Sequence, residues 1–559
     1  MTKPYSAKDL GDGDLFFVPL GGTGEIGMNL NLYGHKGKWL MVDLGIIFGD
    51  PRLPGVDVEM PDPSFIVERR EDLAGLILTH AHEDHIGAVP YLWEQLRCPV
   101  YATKFTAALL RRKLAEVGLL DEVPLTEVPL SGSFSVGPFE IELVTLTHSI
   151  PEPNAVIIRT AAGTVLHTGD WKLDPTPLVG DSYDEERLKA LADENVLAMV
   201  GDSTNAMVWS AAGSESAVRD KLLEVIRPLK QRVAVACFAS NVARLETILR
   251  VAADCGRRVC LLGRSMHRIV DCARESGYLN GHVAFVSEDE IDYLPRHEVL
   301  LLCTGSQGEP RAALWRIARG GHPSVGLEAG DAVVFSSRVI PGNETAIFEL
   351  QNALAEAGVE VITDHDHEIH VSGHPGRDEL IQMYQWVRPQ VAVPVHGEAR
   401  HLAAHAEIAK ECQVPQQVVG RNGSVIRLAP GAAKIVDEVP SGRLVYDGRR
   451  LLSRESPVLK GRQKLMFNGV VAVTLVLDER GAPDGEPEIS TIGLYEPEEE
   501  DADFEELESA VNHAVQRLGK RERKDDAAVE EAVRLGLRRT VNRLLGKKPM
   551  VMVHVIRFE

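Results

Sequence analysis

Residues 80–85 read HAHEDH, three imidazoles and two carboxylates in six positions, directly after the apolar run LAGLIL. His80 and His82 stand two apart at the end of an expected strand, so their side chains leave it on one side. Asp84 and His85 follow where the chain turns into an expected helix, IGAVPYLWEQL. One short loop thus offers two ligand pairs to a single point. Imidazole and carboxylate without thiolate suit zinc or manganese, in a hydrolytic rather than a purely structural site. Two metals need more ligands, and three further candidates each end an apolar strand: His148 in LVTLTHS, Asp170 in TVLHTGDW and His396 in VAVPVHGE. Each alone reads as a capping or loop residue. Together they point to convergence on one rim of a sheet.

The 559 residues exceed what one core supports, so two or three domains must position these side chains. Residues 14–45 read as strand, turn, strand: LFFVPLGG, TGEIGMNLNLYGHKGK, WLMVDLG. The segment GGTGEIG weakly suggests a phosphate cradle, but a strand follows it where such a cradle needs a helix. Strands PVYAT, FEIELVTL, AVIIRT and VLHTGD come next, with a helix around 103–117. Residues 206–364 then alternate short apolar strands with helices, the mark of a parallel sheet covered on both faces. Histidine-rich strand ends return in 365–440, so the middle block reads as an insertion. Residues 441–463, rich in basic and turn residues, read as a linker. The remaining 464–559 read as a small α+β domain with strands near 465–477 and 486–495, two helices and a closing strand. Its acidic run EPEEEDADFEEL reads as a solvated helix start, and the basic face of LGLRRTVNRLLGKKP as a solvated face rather than an RNA contact.

The net charge of −22 argues against a general nucleic-acid coat, which rests on cationic patches. It leaves room for a nuclease that grips phosphates through metal ions and a few local donors. Seven scattered cysteines without a C-x-x-C pair fit reduced thiols. The start MTKPYSAKDLGDGDLFF lacks the pattern of a secretory signal, and no apolar stretch is long enough to span a bilayer, so a cytoplasmic protein without a membrane partner is expected.

With HAHEDH, His148, Asp170 and His396 the sequence resembles the metallo-β-lactamase superfamily. The inserted block narrows the likeness to the β-CASP nucleases. The full-length layout is similar to the ribonuclease J family, carried by HAHEDH, TLTHSIPE, HTGDWKLD, VGDSTNA, IHVSGHPG and PVHGE. The resemblance implies an α/β fold: a metallo-β-lactamase αββα sandwich (1–205 and 365–440), an inserted β-CASP parallel α/β domain (206–364) and, after the linker, a small C-terminal α+β domain.

The resemblance also implies two divalent ions, Zn2+ or Mn2+. His80, His82 and His148 would hold one; Asp84, His85 and His396 the other; Asp170 would bridge both. Asp43 would orient ligands from behind, and Asp202 matches the acidic motif that opens the insertion. His374 matches the histidine over the scissile phosphate, which with Asp84 and Asp170 makes the catalytic set. The implied activity is hydrolysis of RNA phosphodiester bonds by a metal-activated hydroxide, 5′-to-3′ exonucleolytic with endonuclease action besides, in RNA maturation and decay. The implied partners are single-stranded RNA, preferably 5′-monophosphorylated, a second or further copies of the chain as homodimer or homotetramer, and other RNA-decay proteins.

In His370-Val371-Ser372-Gly373-His374, hydroxyl, imidazole and glycine amide can cradle a phosphate, and the family uses this segment for the 5′-terminal monophosphate. Ser240 and Asn241 in FASNVAR add donors or simply cap a helix. Arg338, Arg311, Arg264 and His267 are candidates to line an RNA channel, and the acidic loop FGDPRLPGVDVEMPD is a polar lid or a further metal site. A small-ester hydrolase would need neither the insertion nor HVSGH. A scaffold that had lost its chemistry should lack ligands, and all seven are present. A DNA-processing β-CASP nuclease remains the rival, since recognition of a 2′-hydroxyl leaves no motif to read.

Overall fold

The computed structural model describes residues 13–50, 52–281, 285–496 and 500–558. The N-terminal stretch examined for a signal, up to residue 12, and positions 497–499 of the acidic run lie outside the described residues. These fall into two compact units, the chain to Ile47 with Met60–Arg443, and Phe48–Glu59 with Leu444–Glu559.

In the first unit, among the described residues, an eight-stranded sheet faces a seven-stranded one. Leu15, Phe17, Tyr33, Leu40, Val42 and Ile77 of one sheet interdigitate with Phe139, Ile141, Val156, Ile158, Val200 and Val393 of the other. Each such side chain contributes about 1.5–3 kcal/mol when fully buried. The outer face of the second sheet buries Leu146, Ile157 and Leu166 under helices carrying Leu188, Leu380, Met383 and Ile408. This is the expected αββα sandwich.

The chain leaves the second sheet after Ala198–Asp202 and returns with Val391–Val395, its parallel neighbour, in the register Asp202↔Val395. Between those adjacent strands lies a separate parallel sheet in the order Arg258–Leu262, Val299–Cys303, Val233–Ala236, Ala332–Phe335, Glu360–Ile362. Its three central strands are buried on both faces, as their continuous apolar runs led one to expect.

Two expectations need correction. The supposed turn in 14–45 contains a strand, Leu30–His35, antiparallel to both Leu15–Gly21 and Lys38–Val42. It is buried throughout; Tyr33 Oη lies 2.9 Å from His167 Nδ1 and His35 Nδ1 donates to the Asp14 carbonyl at 2.8 Å, while Asn31 Oδ1 and His35 Nε2 are buried without a partner. No helix follows GGTGEIG, so the phosphate-cradle reading of that segment lapses. The supposed linker is structured as well. Arg443–Asp447 and Arg450–Ser453 form a hairpin, and Pro457–Asn468 a helix. Two of its arginines are neutralised locally, Asp447 accepting from Arg450 and Arg462.

In the second unit Val470–Leu477 pairs with Glu488–Ile492 and Met550–Arg557, and one face packs on helices Glu500–Gln516 and Asp526–Leu545. Of the acids in the loop from residue 48, Asp50 and Glu59 both pair with Arg454. Asp50 is held down to about 2, by its hydrogen bond to Arg52 first. Among the described residues this loop contributes to no group able to hold a metal. No helix among them is long and apolar enough to cross a membrane.

Candidate metal centre

The strand Leu73–Ile77 ends two residues before Thr79, and His82 opens the short helix Glu83–Ile86. The loop after Lys38–Val42 runs alongside: Leu44 N donates to the His85 carbonyl at 2.7 Å and Ile46 N to Glu83 at 2.9 Å. Gly45 makes this approach possible, because a Cβ there would lie 1.7 Å from the Asp84 carbonyl oxygen. His148 follows Phe139–Thr145, Asp170 follows Gly163–His167 and His396 follows Val391–Val395. Trp171, fully buried among Leu166, Leu188 and Met383, anchors the Asp170 turn. Thr23–Gly24 pairs with Gly397–Glu398, and Gly22 O accepts from His396 N at 2.6 Å, so the glycine-rich segment braces the last ligand loop.

All seven expected ligand residues meet there. His80, His82, His148 and Asp170 form one group with ligand atoms within 4.8 Å of one another. Asp84, His85, Asp170 and His396 form a second, so Asp170 belongs to both. A third group, Asp170, Asp202 and His374, adjoins them. Here Nδ1 of His374 donates to Asp202 at 2.8 Å and stands 3.7 Å from Asp170.

Proton positions follow from the partners. Thr79 Oγ1 donates to Asp43 Oδ2 at 2.9 Å, so it accepts from His80 Nδ1 at 3.0 Å and leaves His80 Nε2 as a lone pair. Likewise His148 Nδ1 donates to the Gly373 carbonyl at 2.6 Å, leaving Nε2 as a lone pair. Both lone pairs face His82 Nδ1, at 3.1 and 3.0 Å. One proton on His82 cannot satisfy both, whereas a cation among the three nitrogens can. His85 Nδ1 donates to Asp43 Oδ2 at 2.7 Å, turning its Nε2 toward Asp170 at 3.2 Å and Asp84 at 3.6 Å. His396 Nε2 is buried without a hydrogen-bond partner, and Asp170 Oδ1 has only His396 Nδ1, 2.8 Å away. Orphaned buried atoms cost about 1–3 kcal/mol each. The donor set, the facing lone pairs and this orphan all fit divalent cations.

The electrostatics agree. Burial above all pushes His80, His82 and His148 down, His82 to about 4, which keeps the imidazoles in the neutral, ligating form. In His85 and His396 burial acts the same way, but Asp170 and its neighbouring carboxylates outweigh it and raise both. A cation held by the cluster would replace those protons. His374 is also raised, to about 9, burial being overcome by Asp202 and Asp170.

The segment 370–374 lies beside this centre. Ser372 Oγ accepts from Asn205 Nδ2 at 2.7 Å and from His374 N at 3.2 Å, so its own hydroxyl proton remains to be donated. A Cβ on Gly373 would lie 2.6 Å from the His148 ring, so glycine is what lets the segment approach. Val371 packs against Gly213. His370 is pushed down to about 3 by burial and then by Arg244, Arg338 and Lys172. Asn241 caps the helix Val242–Asp254, its side chain accepting from Arg244 N at 2.8 Å, and that helix start touches the metal loop through Ala243 N and the Ser149 carbonyl at 3.1 Å. Ser240 is half-buried just before it. Of the channel candidates, Arg338 is exposed and helps lower His370, His267 is hydrogen-bonded to the Leu261 carbonyl, and Arg264 and Arg311 are exposed.

Several residues went unread. Asn29 Nδ2 reaches the Asp84 carbonyl at 3.1 Å, His85 at 3.2 Å and His396 at 3.3 Å. It lies two residues beyond the GGTGEIG segment, whose failure as a nucleotide loop was the available signal. Buried Glu379 accepts from the main chain of Leu173, Ala212 and Gly376, tying the Asp170 turn, the entry to the insertion and the 370–376 segment together. Beneath Asp202, a buried chain runs from Ser203 through His405 to Tyr384, 2.8 Å at each step.

Comparison with known proteins assigns the parts. The metallo-beta-lactamase superfamily model matches residues 27–203, and the model for the Ribonuclease J beta-CASP domain matches 230–354. The Zn-dependent metallo-hydrolase RNA specificity domain matches 349–415 and the Ribonuclease J C-terminal domain 457–558. The chain is 48% identical to Ribonuclease J of Sinorhizobium meliloti, over 99% of this chain and 100% of that one. It is 38% identical to Ribonuclease J of Mycolicibacterium smegmatis, over 98% of each chain. The Ribonuclease J of Thermus thermophilus is 33% identical, over 96% of this chain and 94% of that one. A crystal structure of a protein of unknown function from Enterococcus faecalis shares the fold, with TM-score 0.53 and 16% identity over 74% of this chain and 100% of that one. With its metal-ligating cluster at the centre of a metallo-β-lactamase sandwich, an inserted β-CASP domain and full-length relatives of this identity, the chain belongs to the ribonuclease J family of metallo-hydrolases.

Proposed function

We propose that this chain hydrolyses phosphodiester bonds of single-stranded RNA, as a 5′-to-3′ exonuclease with endonuclease action besides, at a centre of two divalent ions, Zn2+ or Mn2+. The observation that carries the reading is the set of imidazole lone pairs and carboxylate oxygens turned on two points that share Asp170. His80, His82 and His148 serve one ion, Asp84, His85 and His396 the other, and Asp170 both. Such ions, when bound, neutralise charge on the phosphoryl oxygens and acidify a water for in-line attack. The chain does the rest. Asp43 and the Gly373 carbonyl fix the tautomers of His85 and His148, and Asp202 holds His374 so that its Nε2 can donate to a phosphoryl oxygen. Ser372, the Gly373 amide and His370, with Ser240 and Asn241 at the start of a helix, make the pocket for a 5′-terminal monophosphate.

On this reading 1–205 with 365–440 is the catalytic sandwich and 206–364 the domain that closes over RNA. Residues 464–559 serve assembly into a homodimer or homotetramer. The buried, unpaired cysteines among the seven fit a cytoplasmic location.

The test uses one RNA labelled at its 5′ end, bearing a monophosphate or a triphosphate, incubated with the protein and Mn2+. Labelled mononucleotide from the monophosphate form is the expected product. Labelled internal fragments in equal yield from both forms would remove the exonuclease reading, and cleavage of DNA but not RNA would replace the substrate.

A further inference from the structure

Arg244 is fully buried on the helix Val242–Asp254, and its guanidinium has more partners than an ion pair needs. Nε and Nη2 donate to the two oxygens of Glu215, at 2.5 and 3.1 Å, and Thr247 completes that carboxylate at 2.9 Å. Nη1 points elsewhere. Its two N–H are shared among the Ser336 carbonyl and hydroxyl, both at 2.8 Å, the Ile369 carbonyl at 3.1 Å and His370 Nδ1 at 3.3 Å. Ser336 Oγ donates to the same Ile369 carbonyl at 2.7 Å. One side chain therefore joins the end of the inserted parallel sheet to the first residues of the 370–374 segment.

The contact to His370 has a chemical consequence. A guanidinium can only donate, so His370 Nδ1 must accept, and the ring proton must sit on Nε2. We infer that Arg244 is a positioning residue for the terminal-phosphate pocket: it fixes His370 with Nε2–H as a donor to the 5′-phosphate and, with Ser336, sets the backbone from which the pocket starts. This rests on the pocket assigned under the proposed function. Burial and the surrounding cations keep His370 neutral, so it recognises phosphate by a directed hydrogen bond rather than by its own charge. A purely structural role accounts for the pairing with Glu215 but not for the reach to residue 370.

The experiment compares monophosphorylated with triphosphorylated 5′-labelled RNA for the wild type, Arg244→Lys, His370→Ala, His370→Gln and the Arg244→Lys/His370→Ala pair. Lysine keeps a charge beside Glu215 but cannot span both sets of acceptors. The monophosphate preference is expected to fall about tenfold in Arg244→Lys, the effect of one charge-assisted hydrogen bond, as a rise in KM more than a fall in kcat. His370→Ala should lose as much, and the double variant no more than either, because both break one interaction. His370→Gln should keep most of the preference, since its amide oxygen can accept from Arg244 while its NH2 donates. An unchanged preference in folded Arg244→Lys, additive losses in the double variant, or His370→Gln as poor as His370→Ala would each overturn the inference. If Arg244→Lys does not fold, the glutamine–alanine comparison decides alone. If the wild type shows no preference, the pocket reading itself falls and the inference with it.

Discussion

His82→Ala is expected to lose RNA hydrolysis by at least about 10³-fold while the protein stays folded. The loss follows from the geometry, since His82 Nδ1 lies between the lone pairs of His80 and His148 and completes their group with Asp170. A divalent ion supplies several kcal/mol of transition-state stabilisation, and about 4 kcal/mol corresponds to a thousandfold in rate. The fold should be indifferent. His82 opens the helix Glu83–Ile86 without a side-chain capping bond, and its remaining contacts are to imidazoles and, at 3.4 Å, to Ser149. A melting temperature near that of the wild type and turnover at background are therefore the paired readouts. Undiminished turnover by the folded variant would remove His82 from the centre.

Glu215→Ala is expected to cost about 3–5 kcal/mol of stability, because it leaves the Arg244 guanidinium as an uncompensated buried charge. The carboxylate takes two donors from Arg244 and one from Thr247, and neither partner has solvent to turn to. Guanidinium unfolding should shift to a lower midpoint, and amide exchange should accelerate first in the helix Val242–Asp254. A midpoint within experimental error of the wild type would mean that the pair contributes nothing. A buried pair of this kind is weak evidence for stability as such, since apolar residues of the same volume often do as well. That suits a role in placing residues 369–370 rather than in holding the core.

The expected ligand residues were legible because each follows a strand rich in apolar residues. The register Asp202↔Val395 sets Asp202 beside the strand end that carries His396. What orients them was less legible. Gly45 acts by lacking a side chain beside the Asp84 carbonyl, and Thr79 and Asn29 act through hydrogen bonds to Asp43 and His396, 36 and 367 residues away in the chain. Arg244 and Glu215 look like surface charges on two amphipathic helices until the helices are packed. The strand Leu30–His35 was hidden by Asn31, Tyr33 and His35, which are buried with Leu30 and Leu32, where alternation would have put polar groups in water. The hairpin and helix after residue 442 passed for a linker because arginines paired to Asp447 read, one by one, as solvated charges.

The most direct test of the centre counts metal and cleavage together. Protein stripped by a chelator is titrated with Mn2+, bound ions per chain are read by native mass spectrometry, and cleavage of a labelled single-stranded RNA is followed in the same samples. The structure leads us to expect no cleavage by the stripped chain, activity that rises as up to two ions bind, and fewer ions retained by His82→Ala. Cleavage at full rate by a chain that carries no metal would contradict the account at its centre.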